Sequence, residues 1–227
     1  MSAQAFLAAM QLADSALPVG RFVHSSGLEA WLAEQDQPDP RQVSELVEAA
    51  VCAGVAPLDG TVVAHSWSAG SLSELVQLDH LIGARKLTPP SRAASEACGR
   101  QLAALAPVLA PADELVKSVA DAVDRREANG NYAVIVGTLC RALGVPARES
   151  VLIELRSAAA GLLSAAVRLG AVTPRVAQSI LAGLHDSLAR AAGESLVRTL
   201  DELHASIPEL EIHALAHRRA SVRFFAT

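Results

Sequence analysis

The sequence is poor in charged residues, aromatic residues and cysteine. Charged residues make up 19% and aromatic residues 3% of its 227 residues, and the three cysteines, Cys52, Cys98 and Cys140, lie far apart. An odd number of isolated cysteines argues against a disulfide framework. The net charge of −5 argues against nucleic acid as a partner, because nucleic-acid binding requires a basic face that neutralises phosphates.

A targeting segment and long uncharged runs are also lacking. The start Met-Ser-Ala-Gln has no positive region and Asp14 interrupts the apolar run early, so no signal peptide is predicted. Uncharged stretches such as 128–140 and 157–167 are shorter than the ~20 residues that a membrane-spanning helix needs. We therefore expect a cytoplasmic protein with no membrane partner.

Small and aliphatic residues take the place of the missing types. Hydrophobic residues make up 51% of the chain, and most of the surplus is alanine, leucine and valine. Alanine and leucine are strong helix formers, and small side chains allow helices to approach closely. Two interpretations stay open: a tightly packed helical bundle, or a bundle with some apolar surface that a partner covers.

Helical periodicity and capping patterns recur along the chain, and strands are hard to find. Ser71-x-x-Glu74 is a capping box, and Pro107 and Gly193 are predicted to end helices. Pro208 is predicted to end regular structure before the tail. The segment 134–136 could be a strand by composition, but no second strand exists to pair with it. The predicted helices are 40–51, one that follows Ser71 and carries the apolar residues Leu72 to Leu78, 89–106, 113–126, 132–143, 149–169, 174–192 and 194–205.

The helices predicted at 132–143 and 149–169 are apolar on nearly every side, in the second case over the second half. A helix of this kind belongs at the centre of a bundle or beneath a partner. No linker or repeat divides the chain. We therefore expect residues 1–227 to form a single all-α domain, a bundle of about ten helices with two apolar central helices.

Motifs for phosphate binding or metal chemistry are absent. The chain has no Gly-x-x-x-x-Gly-Lys loop, no His-Glu-x-x-His and no Cys-x-x-Cys. His213 and His217 are four residues apart and could share a helix face, but two ligands are too few for a tight metal site. No metal site is predicted.

A cluster of hydroxyl and charged side chains lies between residues 14 and 29. Ser26 precedes Glu29 by three residues, as in a capping box, and this interpretation accounts for the serines better than nucleophilic chemistry does. A nucleophile would also need a base held by a third group, which the sequence does not locate. We predict that the protein is not an enzyme. The cluster comprises Asp14, Ser15, His24, Ser25, Ser26 and Glu29.

The C-terminal tail is basic and aromatic. After Glu211 the chain has no acidic residue, and it ends on arginines followed by Phe224-Phe225. Arginine and aromatic side chains are enriched where proteins bind one another. We predict that the tail docks, either onto the body of the protein or onto a partner.

Four segments, in order along almost the whole chain, resemble the UreF family of urease accessory proteins. They are Leu12–Trp31 with its Leu-Pro-Val-Gly break, 91–102 with Gly99-Arg100, 131–144 with its valine-rich run before Gly137, and the His-containing tail 217–227. The chain departs from the family pattern at Arg21, His24, Asn131 and Ala133, where that pattern has glycine, tyrosine, histidine and proline, and at 170–173.

The resemblance implies an all-α, non-catalytic, usually dimeric protein that assists nickel insertion into apo-urease. Such proteins bridge the UreD (UreH) scaffold protein and the UreG GTPase and couple GTP hydrolysis to metal delivery. No tightly bound cofactor is implied, because the complex handles the nickel. The tail 208–227 would dock a partner, with Arg223, Phe224 and Phe225 as anchors for the scaffold.

The junction from Ser15 to Glu29 would meet the dimer mate or the GTPase. An alternative from another functional class is a dimeric helical domain that binds a small molecule or has a regulatory role. Its central helices would then line a pocket. The residues that the resemblance marks as partner-binding are Gly20, Ser25, Glu29, Arg100, His217, Arg219, Arg223, Phe224 and Phe225.

Overall fold

The chain folds into α-helices joined by short loops. The computed structural model describes residues 1–21, 24–35, 38–217 and 225, and of Ala216 and His217 it describes the backbone only. Within these ranges there is no strand, so the predicted all-α fold is confirmed. The helices are α1 (Ala3–Leu12), α2 (Leu28–Ala33), α3 (Pro40–Ala49), a π-helical segment (Ala50–Gly60), α4 (Thr61–Ser68), α5 (Leu72–Arg85), α6 (Pro89–Leu109), α7 (Glu114–Asp124), α8 (Tyr132–Ala142), α9 (Ala147–Arg168), α10 (Pro174–Gly183), α11 (His185–Val197), a 3-10 turn (Leu200–Glu202) and α12 (Pro208–His217).

Side-chain caps fix the starts of several helices. The predicted capping box before α5 is present: the Ser71 hydroxyl accepts the Glu74 N–H, and the Glu74 carboxylate accepts the Ser71 N–H. Asp39 caps α3 in the same manner, and Thr88 and Thr173 cap α6 and α10 just before a proline. Each cap satisfies an N–H of the first turn that has no partner within the helix.

Helices α8 and α9 form the centre of the bundle, as predicted. Every residue from Tyr132 to Cys140 is buried, and α8 packs between α4 and α6. A side chain at Gly137 would collide with the Val63 carbonyl of α4, so glycine permits this close approach. Helix α9 packs against α4, α8, α10, α11 and the π-helical segment. The apolar sequence of these helices therefore reflects burial.

Two helical stretches, Pro40–Ser68 and Ala147–Arg168, are long and apolar enough to cross a membrane by length and composition alone. The buried share of their most apolar windows is 67% and 61%, respectively. Burial inside the bundle thus accounts for the apolar character of both stretches.

Three predicted helix boundaries are wrong. Helix α6 continues through Pro107 to Leu109, because a proline within the last turn removes only one hydrogen bond of the helix. Gly193 lies inside α11, and the break falls instead at Gly183 and Leu184. A glycine costs a helix only about 1 kcal/mol, which burial of α11 offsets.

The third error concerns Pro208, which begins α12 rather than ending regular structure. Proline is favoured in the first turn of a helix, where its missing N–H would have no partner in any case. The predicted helix 194–205 accordingly ends at Val197 and is followed by the 3-10 turn.

The π-helical segment was not predicted and joins α3 to α4 without a break. It contains Pro57, whose ring displaces the regular hydrogen-bond ladder. The Ala56 carbonyl accepts the hydroxyls of Thr61 and Ser195, at 3.4 and 2.8 Å. Side chains thereby replace part of the lost backbone bonding, and Ser195 ties the segment to α11.

Candidate functional site

The site begins with the junction loop, residues 13–27, between α1 and α2. Gly20, Ser26 and Gly27 have φ values of +79°, +53° and +90°, so the chain turns sharply at two points. Leu17 and Val19 of this loop are buried. Leu17, Val19 and Ser25 therefore attach the described part of the loop to the body of the protein.

Gly27 holds the start of α2 against α12. It is the N-cap residue of α2, and a side chain here would collide with the Leu210 carbonyl oxygen of α12. The predicted capping box at Ser26 and Glu29 is wrong, because the helix begins one residue later and Gly27 provides no side-chain cap. The positive φ and the close approach both require glycine.

A buried ion pair links the junction loop to the central helix α9. The Arg21 guanidinium donates to both carboxylate oxygens of Glu154, at 2.5 and 3.1 Å, and lies 4.5 Å from the centre of the Tyr132 ring. Burial disfavours the charge on Arg21, but the Glu154 carboxylate outweighs this and raises the pKa of Arg21. Burial also raises the pKa of the Tyr132 hydroxyl to about 12.

Sequence reasoning missed this network. Arg21 was noticed only as a departure from the family glycine, and Glu154 was not singled out. The available signal was a lone carboxylate between the apolar residues Ile153 and Leu155 of a central helix, since a buried charge needs a partner.

Two polar links attach α12 to α2. The Trp31 indole N–H donates to the Glu209 carboxylate at 2.6 Å, and Nε2 of His213 lies 3.2 Å from the Glu34 carboxylate. The other ring nitrogen of His213, Nδ1, lies 2.5 Å from the Glu209 carbonyl oxygen. We call this pair of links, with the Gly27 contact, the α2–α12 clasp.

The structure brings together two of the predicted partner-binding residues, Glu29 and Phe225. The Phe225 N–H donates to Oε2 of Glu29 at 3.3 Å, and the Phe225 ring lies 4.3 Å from the guanidinium of Arg168 at the end of α9. Phe225 is buried, with 6% of its surface exposed. We call Glu29 and Arg168 the Phe225 seat. The other predicted tail residues, Arg219, Arg223, Phe224 and the side chain of His217, lie outside the described part of the chain.

The predicted residue Arg100 belongs to a different part of the fold. It lies on α6, pairs with Glu96 at 3.4 Å and donates to the Asn129 carbonyl at 3.3 Å. The buried carboxylate of Asp79 holds the same loop by accepting the N–H groups of Asn129 and Asn131, each at 2.6 Å. The contacts of Arg100 therefore anchor this loop rather than the Phe225 seat.

A cleft of about 220 Å³ lies between the junction loop, the π-helical segment, α6, α9 and α12. The ion pair of Arg21 and Glu154 and the Cys98 thiol contribute to its walls. Burial raises the pKa of Cys98, so the thiol stays protonated and is a poor nucleophile. Burial, aided by Arg21, lowers the pKa of His24. The cleft is the feature that the small-molecule alternative requires.

The described residues contain no group of three or more histidine, cysteine, aspartate or glutamate side chains that could hold a metal ion. This finding applies to the described residues only. For the rest of the chain, including most of the tail beyond His217, the absence of a metal site stays a prediction.

Helix α1 carries exposed apolar side chains. Phe6, Leu7 and Met10 are all exposed and project from one side of a helix that lacks charged side chains. Contiguous exposed apolar patches on a protein surface can mark sites of protein–protein interaction. We call these three residues the α1 ridge.

Comparisons with known proteins agree on one family. A model of the UreF family matches residues 38–185. The chain is 30% identical to the urease accessory protein UreF of Kocuria rhizophila, over 96% of this chain and 95% of that protein. It is 30% identical to the protein of the same name from Paenarthrobacter aurescens, over 99% of each. The corresponding protein of Yersinia enterocolitica is 28% identical over the full length of both.

Proposed function

The chain belongs to the UreF family of urease accessory proteins, and we propose that it assists nickel insertion into apo-urease by bridging a UreD/UreH-type scaffold protein and a UreG-type GTPase. In this role it couples GTP hydrolysis to metal delivery without binding a cofactor tightly itself. The family named from the sequence motifs is confirmed, and so is the prediction that the protein is not an enzyme, since its relatives carry the name of an accessory protein.

The observation that carries the proposal is the exposed apolar face at the C-terminal end. Ile212 and Leu215 on α12 are 64% and 45% exposed, although the opposite face of the helix is buried through Leu210 and Ala214. Large aliphatic side chains beside aromatic and arginine residues are a typical protein-binding composition. The outer face of α12 and the following tail would therefore contact the scaffold protein.

The GTPase would be recruited by the surface around the junction loop. Ser26 is exposed and Glu29 half-buried, and both lie beside α12. A scaffold bound to α12 would consequently lie next to a GTPase bound to the junction. This arrangement supports a bridging role, because the two partners would contact elements that pack against each other.

A homodimer would use the α1 ridge. Helix α1 lies along the first half of α9, where Arg156 donates to the Ala13 carbonyl at 3.3 Å. The face of α9 that carries Arg156 continues toward the C-terminal end of the helix with Ala160, Leu163 and Val167. These three residues line an apolar groove of about 230 Å³ beside α10. The described lining of this groove is uncharged, as is the α1 ridge.

In a two-fold dimer, the ridge of each copy would enter the groove of the other. Two such contacts are needed, because the surface that one small ridge can bury is far below the roughly 1,200 Å² of total buried surface that a stable interface requires. Replacing Phe6 with glutamate should convert the dimer into a monomer in light scattering. Val197→Glu, at a position that is 81% exposed on α11, is the matched control and should leave the mass unchanged.

The protein would work in the cytoplasm, where nickel-free urease is made. Both apolar helical stretches are mostly buried inside the protein, and this burial explains their apolar character without a membrane.

The test of the proposal is urea hydrolysis in cells that express the cognate urease operon with nickel. Deleting this gene should abolish activity while apo-urease still accumulates. The double variant Ile212→Glu/Leu215→Glu should lose activity and fail to retain the purified scaffold protein, whereas Val197→Glu should behave as the wild type. Full activity without the gene, also at limiting nickel, would overturn the proposal and favour the small-molecule alternative.

A further inference from the structure

Arg21 attaches the junction loop to both central helices of the bundle. The chain turns at Gly20, whose φ is +79°, and the next side chain donates to both carboxylate oxygens of Glu154 on α9. The same guanidinium lies over the ring of Tyr132, the first residue of α8. Two groups on different helices therefore fix the position and the direction of this one side chain.

Stability alone does not account for a buried ion pair at this place. Glu154 is buried on a central helix, where the attraction of Arg21 mainly offsets the cost of removing the carboxylate from water. Two apolar side chains of similar volume would stabilise the same contact about as well or better. They would lack direction, because apolar contacts are non-directional, whereas a guanidinium and a carboxylate pair in one planar arrangement.

The apolar anchors of the loop leave this direction open. Leu17 and Val19 are buried and hold the loop to the core without fixing which surface it presents. Resting on the proposed recruitment of a GTPase at the junction, we infer that Arg21 is a positioning residue, whose pair with Glu154 holds the loop in the arrangement that the GTPase binds.

Arg21 acts through the loop in this role, since most of its side chain is buried. The apparent affinity for the GTPase is reduced in proportion to the fraction of molecules whose loop has the competent arrangement. Removing the pair should therefore weaken recruitment even in a protein whose stability has been restored.

The experiment compares five full-length proteins: the wild type, Arg21→Met, Arg21→Met/Glu154→Leu, Ser26→Arg and the control Arg41→Met/Glu45→Leu. The control makes the same two replacements at an exposed ion pair on α3, and Ser26→Arg places a large side chain on the exposed surface of the loop.

Three quantities are measured for each protein. The midpoint of urea unfolding and the hydrogen exchange of the peptide 13–27 are measured on the protein alone. The dissociation constant for the purified UreG-type GTPase is measured on its complex with the purified UreD/UreH-type scaffold protein, and formation of that complex shows that scaffold binding is intact.

We expect Arg21→Met to lower the unfolding midpoint, because Glu154 stays buried without its cation. The double variant Arg21→Met/Glu154→Leu should unfold close to the wild type and bind the scaffold. Its peptide 13–27 should nevertheless exchange faster, and its affinity for the GTPase should fall at least tenfold, about 1.4 kcal/mol. Ser26→Arg should weaken GTPase binding at an unchanged midpoint, and the control should change none of the three quantities.

The outcomes separate the inference from the proposed function. If the double variant recovers both stability and GTPase binding while Ser26→Arg does not bind, the pair is only structural and the inference is wrong. A double variant that also loses the scaffold would overturn it too, because the effect would then extend beyond the loop. If Ser26→Arg and the double variant both bind the GTPase as the wild type does, the GTPase does not bind at the junction, and that part of the proposed function fails.

Discussion

Replacing Arg21 with alanine should destabilise the protein more than a substitution in most loops would. Glu154 would remain on the central helix with 5% of its side chain exposed and without its cation. Removing one partner of a buried ion pair typically costs about 3–5 kcal/mol, because the remaining charge is left without compensation. The Arg21 side chain is 25% exposed, which places the expected loss in the free energy of unfolding near the lower limit, at about 3 kcal/mol.

For a chain of this length, that loss corresponds to a decrease in Tm of about 6–12 °C. The assay is thermal and urea unfolding at neutral pH, followed by circular dichroism. The double variant Arg21→Met/Glu154→Leu removes both charges and keeps the volume, so it should lie within about 1.5 kcal/mol of the wild type. A loss below about 1 kcal/mol for Arg21→Ala, or a double variant as unstable as the sum of its single changes, would refute the reasoning.

Three further predictions concern other contacts of the site. Gly27→Ala places a methyl group against the Leu210 carbonyl at a residue with positive φ, so α12 should detach. Hydrogen exchange over 208–217 should then become faster and scaffold binding weaker, whereas unchanged exchange would contradict the close approach. Asp79→Asn weakens the acceptor for the two N–H groups of the 129–131 loop and should lower the free energy of unfolding by about 2 kcal/mol in urea titrations; a loss under 0.5 kcal/mol, on the same scale, would contradict it. The Tyr132 hydroxyl keeps its proton to about pH 12 in the folded protein, whereas the unfolded chain loses it near pH 10, so its stabilising contribution is complete below pH 10 and is lost as pH rises through 10–12. Tyr132→Phe should therefore show a smaller fall in Tm between pH 9 and 12 than the wild type, and equal slopes would count against burial of that hydroxyl.

The helices with strong periodicity or a distinct cap could be predicted from the sequence. The apolar residues on all sides of α8 and of the second half of α9 predicted these two helices, and the Ser71 capping box predicted the start of α5. The errors occurred where tertiary contacts override local preference. Pro107 and Gly193 both lie within helices whose buried faces offset the local cost.

The candidate site was only partly predictable. The motif at the junction and the aromatic tail pointed to Glu29 and Phe225, and the structure joins these two. Their partner Arg168 could not be foreseen, because it lies on another helix at a position with no local pattern. The π-helical segment and the link from Trp31 to Glu209 likewise depend on residues distant in sequence.

The α2–α12 clasp joins two helices that are far apart in sequence, and this affects the order in which the protein can fold during synthesis. Trp31 and Glu209 are 178 positions apart in sequence, so their hydrogen bond cannot form until nearly all of the intervening chain has been made. The central helices α8 and α9 can pack as soon as they leave the ribosome, but α2 lacks its partner until α12 has also been released. The surface that we propose for partner binding therefore forms late, so a chain cut before α12 would have a folded core but not that surface.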